Sequence, residues 1–248
     1  MINQKKSERI AKSIAATGYC SRRHAEKLIT MGEVIVNGKK VLTPAFFVDK
    51  NDKIIIKGKL IQNIEKTQLF IFHKPKGVIV SRDDPQKRKT IYDFLPINMK
   101  QYHYVGRLDY NTEGLLLITN DGKLKRYLEL PLNKIERIYK VKIYGYINNL
   151  NRIELLKGIT INNIKYGPVS FKIIENKGKN SWINVKIHEG KNREIRKIME
   201  HYNLIINDLI RVKFGPFNLN KLARGKLIEI EERILSLFIK SIGGLWLE

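Results

Sequence analysis

The chain reads as an α+β protein in two parts, a small helix–helix–hairpin unit followed by a larger domain of strands flanked by helices. Three observations predict this. Two short amphipathic segments lead directly into a strong Asn-Gly hairpin signal at Asn37-Gly38. Between Lys59 and Gln68 the sequence turns polar and loses periodicity, which marks a linker over 61–68 between domains at 1–60 and 69–248. Leu115 to Ile118 is an unbroken apolar run, too short for a typical helix and closed by Asn120-Asp121-Gly122, so it predicts a strand buried on both faces.

In the first part, Ser7 to Ala16 puts Ile10, Ala11 and Ile14 on one face of a short helix, and Gly18 breaks it. Ser21 suits the cap of a second helix running to about Met31, with Ala25, Leu28 and Ile29 apolar and Gly32 as the stop. Val34-Ile35-Val36 and Lys39-Lys40-Val41 form the arms of the hairpin, and Ile54-Ile55-Ile56 adds a strand. The unit resembles the S-four-type RNA-binding domain, whose core runs Ser-Arg-Arg, Ala-Glu-Lys-Leu-Ile and Gly-x-Val-x-Val-Asn-Gly. Here those segments are Ser21-Arg22-Arg23, Ala25-Glu26-Lys27-Leu28-Ile29 and Gly32 to Gly38. The resemblance implies phosphate contact by Arg22, Arg23 and Lys27 on the exposed helix face, joined by Lys39 and Lys40 on the hairpin. For any one of these residues, a merely solvated basic face is the alternative.

From Leu69 the pattern changes. Leu69 to Phe72 predicts a strand, His73-Lys74-Pro75-Lys76-Gly77 a turn, and Val78-Ile79-Val80 a second strand. Ser81 to Lys89 is a polar loop holding Arg82, Lys87, Arg88 and Lys89, and Thr90 to Leu95 predicts one helical turn before Pro96. After the apolar run, Lys123 to Leu130 predicts a short helix, and Arg137 to Gly145 alternates as a strand does. Ile153 to Ile161, with Tyr166-Gly167-Pro168-Val169 behind it, reads as a helix, a hairpin and a turn without chemistry of its own. Trp182 to Ile187 is a strand. Beyond it Ile195, Ile198, Met199 and Tyr202 share one helical face, leaving Arg193, Arg196, Lys197 and Glu200 largely opposite. A strand from Leu209 and a closing helix over Glu231 to Ser241 complete the chain.

The composition narrows the partner. A net charge of +23 and a pI near 10.0 favour a polyanion, either nucleic acid or an anionic membrane surface. No run approaches a transmembrane length, and Met1 to Glu8 lacks the apolar core of a signal peptide, so no membrane association is expected. The single cysteine, Cys20, excludes an intramolecular disulfide and suits a reducing cytoplasm. Its five histidines show no metal-ligand spacing, and neither a metal nor another cofactor is expected. The chain is expected to act as a monomer.

One stretch is suited to chemistry: Gly106-Arg107-Leu108-Asp109-Tyr110-Asn111-Thr112-Glu113-Gly114. A carboxylate at the root of a buried central strand sits on a rigid part of a fold, where reacting groups are best mounted. Spacing alone also admits an ordinary loop in which Arg107 and Asp109 satisfy each other. The full string closely resembles the signature loop of the ribosomal-RNA pseudouridine synthases of the RsuA/RluB type. Three further segments match that family in order. Lys74-Pro75-Lys76-Gly77 answers to Lys-Pro-x-Gly, with His73 where Asn is more usual. Glu189 to Met199 answers to Glu-Gly-x-x-Arg-Gln-Ile-Arg-Arg-Met, with Glu194 in place of Gln and Ile198 before Met199. Leu209 to Pro216 answers to Leu-x-Arg-x-x-x-Gly-Pro.

The resemblance implies a mixed, mainly antiparallel sheet with flanking helices, the pseudouridine synthase fold. It implies Asp109 as the catalytic residue, Tyr139 stacking on the target uracil, and Arg196 paired with the aspartate, with Arg107 the second candidate for that pairing. Lys74, Arg82, Arg88, Arg107, Arg193 and Lys197 are expected to contact RNA around the site. Such an isomerisation breaks and remakes a glycosidic bond without oxidation or external energy, which agrees with the absence of a nucleotide-binding loop. The target base must leave its stack, and Asp109 would serve either as nucleophile toward the sugar or as the base that starts glycal formation. Two rivals are a non-catalytic ribosomal RNA-binding or assembly factor and an RNA methyltransferase. The first leaves Asp109, Tyr139 and Arg196 unexplained as a set, and the second lacks its glycine-rich loop.

Overall fold

Asn37 and Gly38 take φ values of 49° and 81°, the left-handed pair that a primed hairpin turn demands. A computed structural model describes residues 7–17, 19–49, 51–61 and 66–243; Gly18 and residues 62–65 of the expected linker lie outside the described residues. The turn joins Val34–Val36 to Lys39–Val41, and Ile54–Ile56 and Lys59–Ile61 extend the pair into a four-stranded antiparallel sheet. Helices Ile10–Ala16 and Arg22–Thr30 supply Ile10, Ile14, Ala25, Leu28 and Ile29 to one core with Val34, Val36, Val41, Ile54 and Ile56. Ser21 caps the second helix by accepting from the His24 backbone N–H. The first helix starts later than its periodicity suggests. Glu8 and Arg9 pair with Val48 and Phe47 as a two-stranded ribbon, which satisfies backbone groups that an uncapped first turn would leave open.

By its contacts the chain splits into two compact units, Met1–Gln68 with Ile97–His103 and Asn120–Gly122, and Leu69–Pro96 with Tyr104–Thr119 and Lys123–Glu248. In the first unit the end of the expected linker is pinned by side chains. Gln68 N–H donates to Asn120 Oδ1 at 2.8 Å, and Asn120 Nδ2 donates back to Lys66 O at 3.0 Å.

The second unit is built on a nine-stranded sheet. Its main path runs Ser170–Lys177, Asn180–Ile187, Arg137–Tyr144, Ile205–Phe214, Glu113–Thr119, Leu69–Lys74 and Leu227–Glu229. Most pairings are antiparallel, whereas Ile205–Phe214 and Glu113–Thr119 meet in parallel through Ile210↔Glu113 and Arg211↔Gly114. The sheet is therefore mixed and mainly antiparallel, with helices flanking it. Leu115, Leu116, Leu117 and Ile118 are all fully buried, which gives the central strand two apolar faces. On one of these faces Leu115 and Leu117 pack with Leu124 and Leu128 of helix Gly122–Glu129 and with Leu235 and Ile239 of the closing helix Glu232–Ser241.

The structure corrects one strand and adds others, among them Lys59–Ile61, Ser170–Lys177 and Leu227–Glu229. Val78 to Val80 does not form a ladder; Ile79 alone bridges to Thr90, while Val78 and Val80 bury their side chains. The chain turns instead into a 3-10 helix at Ile91–Asp93, opened by a capping box of Thr90 and Asp93. Ser170–Lys177 is a full edge strand whose exposed, charged side chains disguise it in the sequence.

Candidate active site

The loop from Gly106 to Gly114 holds its shape through its own carbonyl groups. Three consecutive ones accept from two separate segments: Tyr110 O from Gly77 N–H at 2.9 Å, Asn111 O from Arg196 Nη2 at 3.0 Å, and Thr112 O from Lys74 Nζ at 2.8 Å. Thr112 N–H closes a turn onto Asp109 O at 3.0 Å. Gly114, at φ +115°, ends the loop where the central strand meets Ile205–Phe214. A Cβ there would lie 2.3 Å from Arg211 O and 2.6 Å from Arg211 N, so glycine alone permits that approach.

Asp109 is half-buried in a cleft of about 540 Å³ that Tyr139, Arg193, Arg196 and Arg211 also line. Arg137, Tyr139, Val141 and Ile143 form the inward row of the alternating strand, and Tyr139 is 7% exposed. Two buried arginines, Arg137 and Arg211, stand against the Phe214 ring at 4.9 and 5.1 Å. Arg211 Nε donates to Leu115 O at 2.7 Å. Among the described residues, its Nη2 and the Nε of Arg196 find no acceptor. Burial lowers the pKa of Arg137 and of Arg196, although nearby Asp109 opposes this at Arg196; a guanidinium stays charged regardless. The cleft thus sets the Asp109 carboxylate among several donors aimed at whatever enters it, in surroundings where such donors act strongly.

The guanidinium within ion-pair reach of Asp109 is that of Arg193, with Nη1 3.8 Å from Oδ2. Arg196, expected in that role, is spent on the loop backbone and reaches Thr112 Oγ1 at 3.5 Å. Arg107 is exposed, lines the cleft, and forms no ion pair with Asp109 among the described residues. Lys74, expected at the RNA, is fully buried here, its Nζ donating to Pro75 O and Thr112 O, so it braces the loop. Burial pushes its pKa down to about 8, against the opposing pull of Asp109 and Glu113. Arg88 is clasped by Asp84 through Nε and Nη2 at 3.0 and 2.7 Å, and Arg82 lies 5.0 Å from the Tyr92 ring centre. Lys197 is half-buried on the helix Glu194–His201. In the first unit Arg22, Arg23, Lys27, Lys39 and Lys40 are all exposed.

Sequence reasoning missed the arginine floor of the cleft. Its signal was present: Arg137 and Arg211 occupy inward positions of strands whose other inward residues are apolar. It also missed how His73 is used. His73 Nε2 lies 3.1 Å from Glu113 Oε1, which accepts from Arg224 Nε at 2.8 Å, so the strand end beneath the loop is held by a buried polar network.

Comparison with known proteins agrees with this geometry. A family model described as RNA pseudouridylate synthase matches residues 68–201, more than half of the chain, and an S4 domain model matches residues 8–54. An uncharacterized RNA pseudouridine synthase of Rickettsia typhi is 44% identical over 235 residues, covering 94% of this chain and 96% of that protein. The ribosomal large subunit pseudouridine synthase B of Buchnera aphidicola subsp. Schizaphis graminum is 39% identical over 249 residues, covering 96% and 94%. A crystal structure of a pseudouridylate synthase superposes with a TM-score of 0.67 at 26% identity, over 92% of this chain and 98% of that one. Fold, cleft and likeness together define an isomerase that acts on RNA. The chain belongs to the RNA pseudouridylate synthase family.

Proposed function

We propose that this chain converts uridine to pseudouridine in ribosomal RNA and that Asp109 carries the covalent chemistry. The observation that carries this reading is the position of Asp109 in the cleft, half-buried, beside the Arg193 guanidinium and lined by Tyr139. In the reaction the C1′–N1 bond of the target nucleoside breaks, the uracil turns, and a C1′–C5 bond forms; C5 gives up its proton and N1 gains one. Asp109 acts on the ribose either as nucleophile at C1′ or as base at C2′. Both roles call for an ionised carboxylate, and an adjacent guanidinium favours that form while fixing its orientation. The uracil leaves its stack to enter the cleft, and the Tyr139 ring offers a face for it.

Arg137 and Arg211 supply positive charge behind the site, where electron density shifts onto the departing base. Arg196 and Lys74 serve the reaction by holding the loop that presents Asp109. The surplus of basic side chains, the S4 domain and the relatives named as acting on the ribosomal large subunit favour ribosomal RNA as partner. Among the described residues no helix is long and apolar enough to cross a membrane. We assign the chain to the cytoplasm as a monomer.

The test is tritium release from unmodified ribosomal RNA transcripts labelled at uracil C5. Asp109→Asn keeps the side-chain volume and removes the charge. It should release no tritium above background while binding RNA within about twofold of the wild type, since a single uncharged isostere leaves the phosphate contacts intact. Turnover in that variant would remove Asp109 from the chemistry.

A further inference from the structure

The turn between the strand Asn180–Ile187 and the helix Glu194–His201 holds two carboxyl groups for which the reaction above has no use. Glu194 is 3% exposed and lines the cleft from the first turn of its helix. Its Oε2 accepts from the Lys191 backbone N–H at 3.0 Å, whereas its Oε1 is buried and meets no donor among the described residues. Beside it on the same side of the cleft stands another carboxyl, that of Glu189, whose charge acts on Glu194. Glu189 is itself well satisfied. Its Oε1 accepts from Gly167 N–H at 2.7 Å, and Lys191 Nζ reaches both of its oxygens, at 2.9 and 2.8 Å.

Two neighbouring carboxyl groups, one sealed from water, resist ionising together: the charges repel, and the buried one also loses its hydration. A single proton between them turns the same contact into a short, strong hydrogen bond. That proton belongs on Glu194, because Glu189 has an ammonium and an amide N–H to hold its charge and Glu194 has only an amide N–H.

Arg193 lies between the two glutamates in sequence, with its backbone in the left-handed region at φ 50° and ψ 33°. Such a conformation costs an L residue some strain, which contacts of its neighbours help to offset. The contacts of Glu194 with Lys191 and Glu189 tie the residues before Arg193 to the residue after it. From there the Arg193 guanidinium reaches Asp109. We infer that the Glu194 carboxyl is protonated and donates to the Glu189 carboxylate, and that this neutral link positions Arg193 against Asp109. The positioning role rests on the isomerase reading of Asp109.

The charged surroundings are few. Glu189 and Lys191 lie on the turn, Arg193 and Arg196 at the start of the helix, Arg137 on the strand Arg137–Tyr144, and Arg211 on Ile205–Phe214. The strand Ile159–Ile161, also packed against the helix, adds no titratable side chain. Burial first, and then the charge of Glu189, push the Glu194 pKa up to about 7. Below that pH the link exists; above it Glu194 becomes a second anion beside Glu189, and their repulsion works against the turn that the Lys191 N–H closes on Glu194 Oε2.

The test combines carbon-13 NMR of the full chain, labelled at the glutamate side-chain carboxyls, with tritium release measured across pH. One carboxyl carbon should titrate near pH 7 in the wild type and be missing in Glu194→Gln. Wild-type kcat should fall as pH rises through that point. Glu194→Gln donates an amide N–H that does not titrate, so its kcat should stay flat through the same range. The Lys74 ammonium, which titrates near 8, is common to both proteins, so their comparison cancels it. Glu189→Gln removes the acceptor charge and should move the titration to lower pH. Absence of a glutamate carbon titrating near 7, its persistence in Glu194→Gln, an unmoved titration in Glu189→Gln, or superimposable kcat profiles would each overturn the inference. A chain that releases no tritium at any pH, with the resonance behaving as described, would overturn the isomerase reading and with it the role of Arg193.

Discussion

Lys74 shows how one buried charge serves a loop that it never leaves. Its ammonium is removed from water, and it holds two carbonyls, the buried Thr112 O and the part-buried Pro75 O. Lys74→Met keeps the aliphatic stem and leaves both carbonyls short of a donor, at a cost of about 1–3 kcal/mol each. The segment behind Asp109 should then loosen. We expect single-turnover kcat to fall by about tenfold or more while RNA affinity by filter binding stays within about twofold. An equal loss in both would mean that the ammonium reaches RNA after all. The variant also has a stability signature. Because burial lowers the folded-state pKa of Lys74 from its ordinary 10.5 to about 8, the unfolded chain binds more protons between those values. Wild-type stability therefore carries a contribution that rises with pH across that window, with the desolvation penalty fully present below about 8. Denaturant titrations at several pH values should show this rise in the wild type and lose it in Lys74→Met.

The central strand raises the same question for a whole element. Gly114 is where it drops onto Ile205–Phe214, and the atoms that a methyl group would strike are backbone on a strand fixed from both sides. No rotamer change relieves such a clash, and the φ of +115° adds strain for any L side chain. Gly114→Ala should cost about 2–4 kcal/mol, read as a lower midpoint in urea with an unchanged slope. A loss below about 0.5 kcal/mol would show that the parallel step slides freely. Elements such as this one were legible because their causes are local. The run Leu115 to Ile118 has no polar break, and Asn37-Gly38 dictates its own turn. Val78 to Val80 misled because burial of two valines imitates a strand, while pairing depends on a partner far along the chain. Ser170–Lys177 escaped notice for the converse reason, since an edge strand with charged exposed side chains owes its form to Asn180–Ile187 beside it. In the site, the resemblance of the string singled out Asp109, which lies in the cleft. That Arg193, and neither Arg196 nor Arg107, comes within ion-pair reach of it was not legible, because it turns on the left-handed backbone at Arg193 and on which arginine the Asn111 carbonyl captures.

For the molecule as a whole, the 47 lysines and arginines matter to a polyanion only insofar as their charges remain available. Several are neutralised close to home: Arg88 by Asp84, Lys12 by Glu8, Lys191 by Glu189, and Lys186 with Lys213 by Glu136. By contrast, Arg22, Arg23 and Lys27 stand exposed on the helix Arg22–Thr30, whose other face is Ala25, Leu28 and Ile29 packed into the core of the first unit. Phosphates held by such residues release counterions, and each lost contact should flatten the plot of log affinity against log salt by about 0.7–0.9. The triple variant Arg22→Ala, Arg23→Ala, Lys27→Ala should therefore lower that slope by about 2 and weaken binding most at low salt. Its fold should hold, because none of the three side chains is buried and alanine is at least as good a helix former. The kcat at saturating RNA should stay within about twofold, since none of the three lines the cleft around Asp109. A slope equal to that of the wild type would mean that this face is merely solvated, and RNA would have to be gripped by the basic residues around the cleft alone.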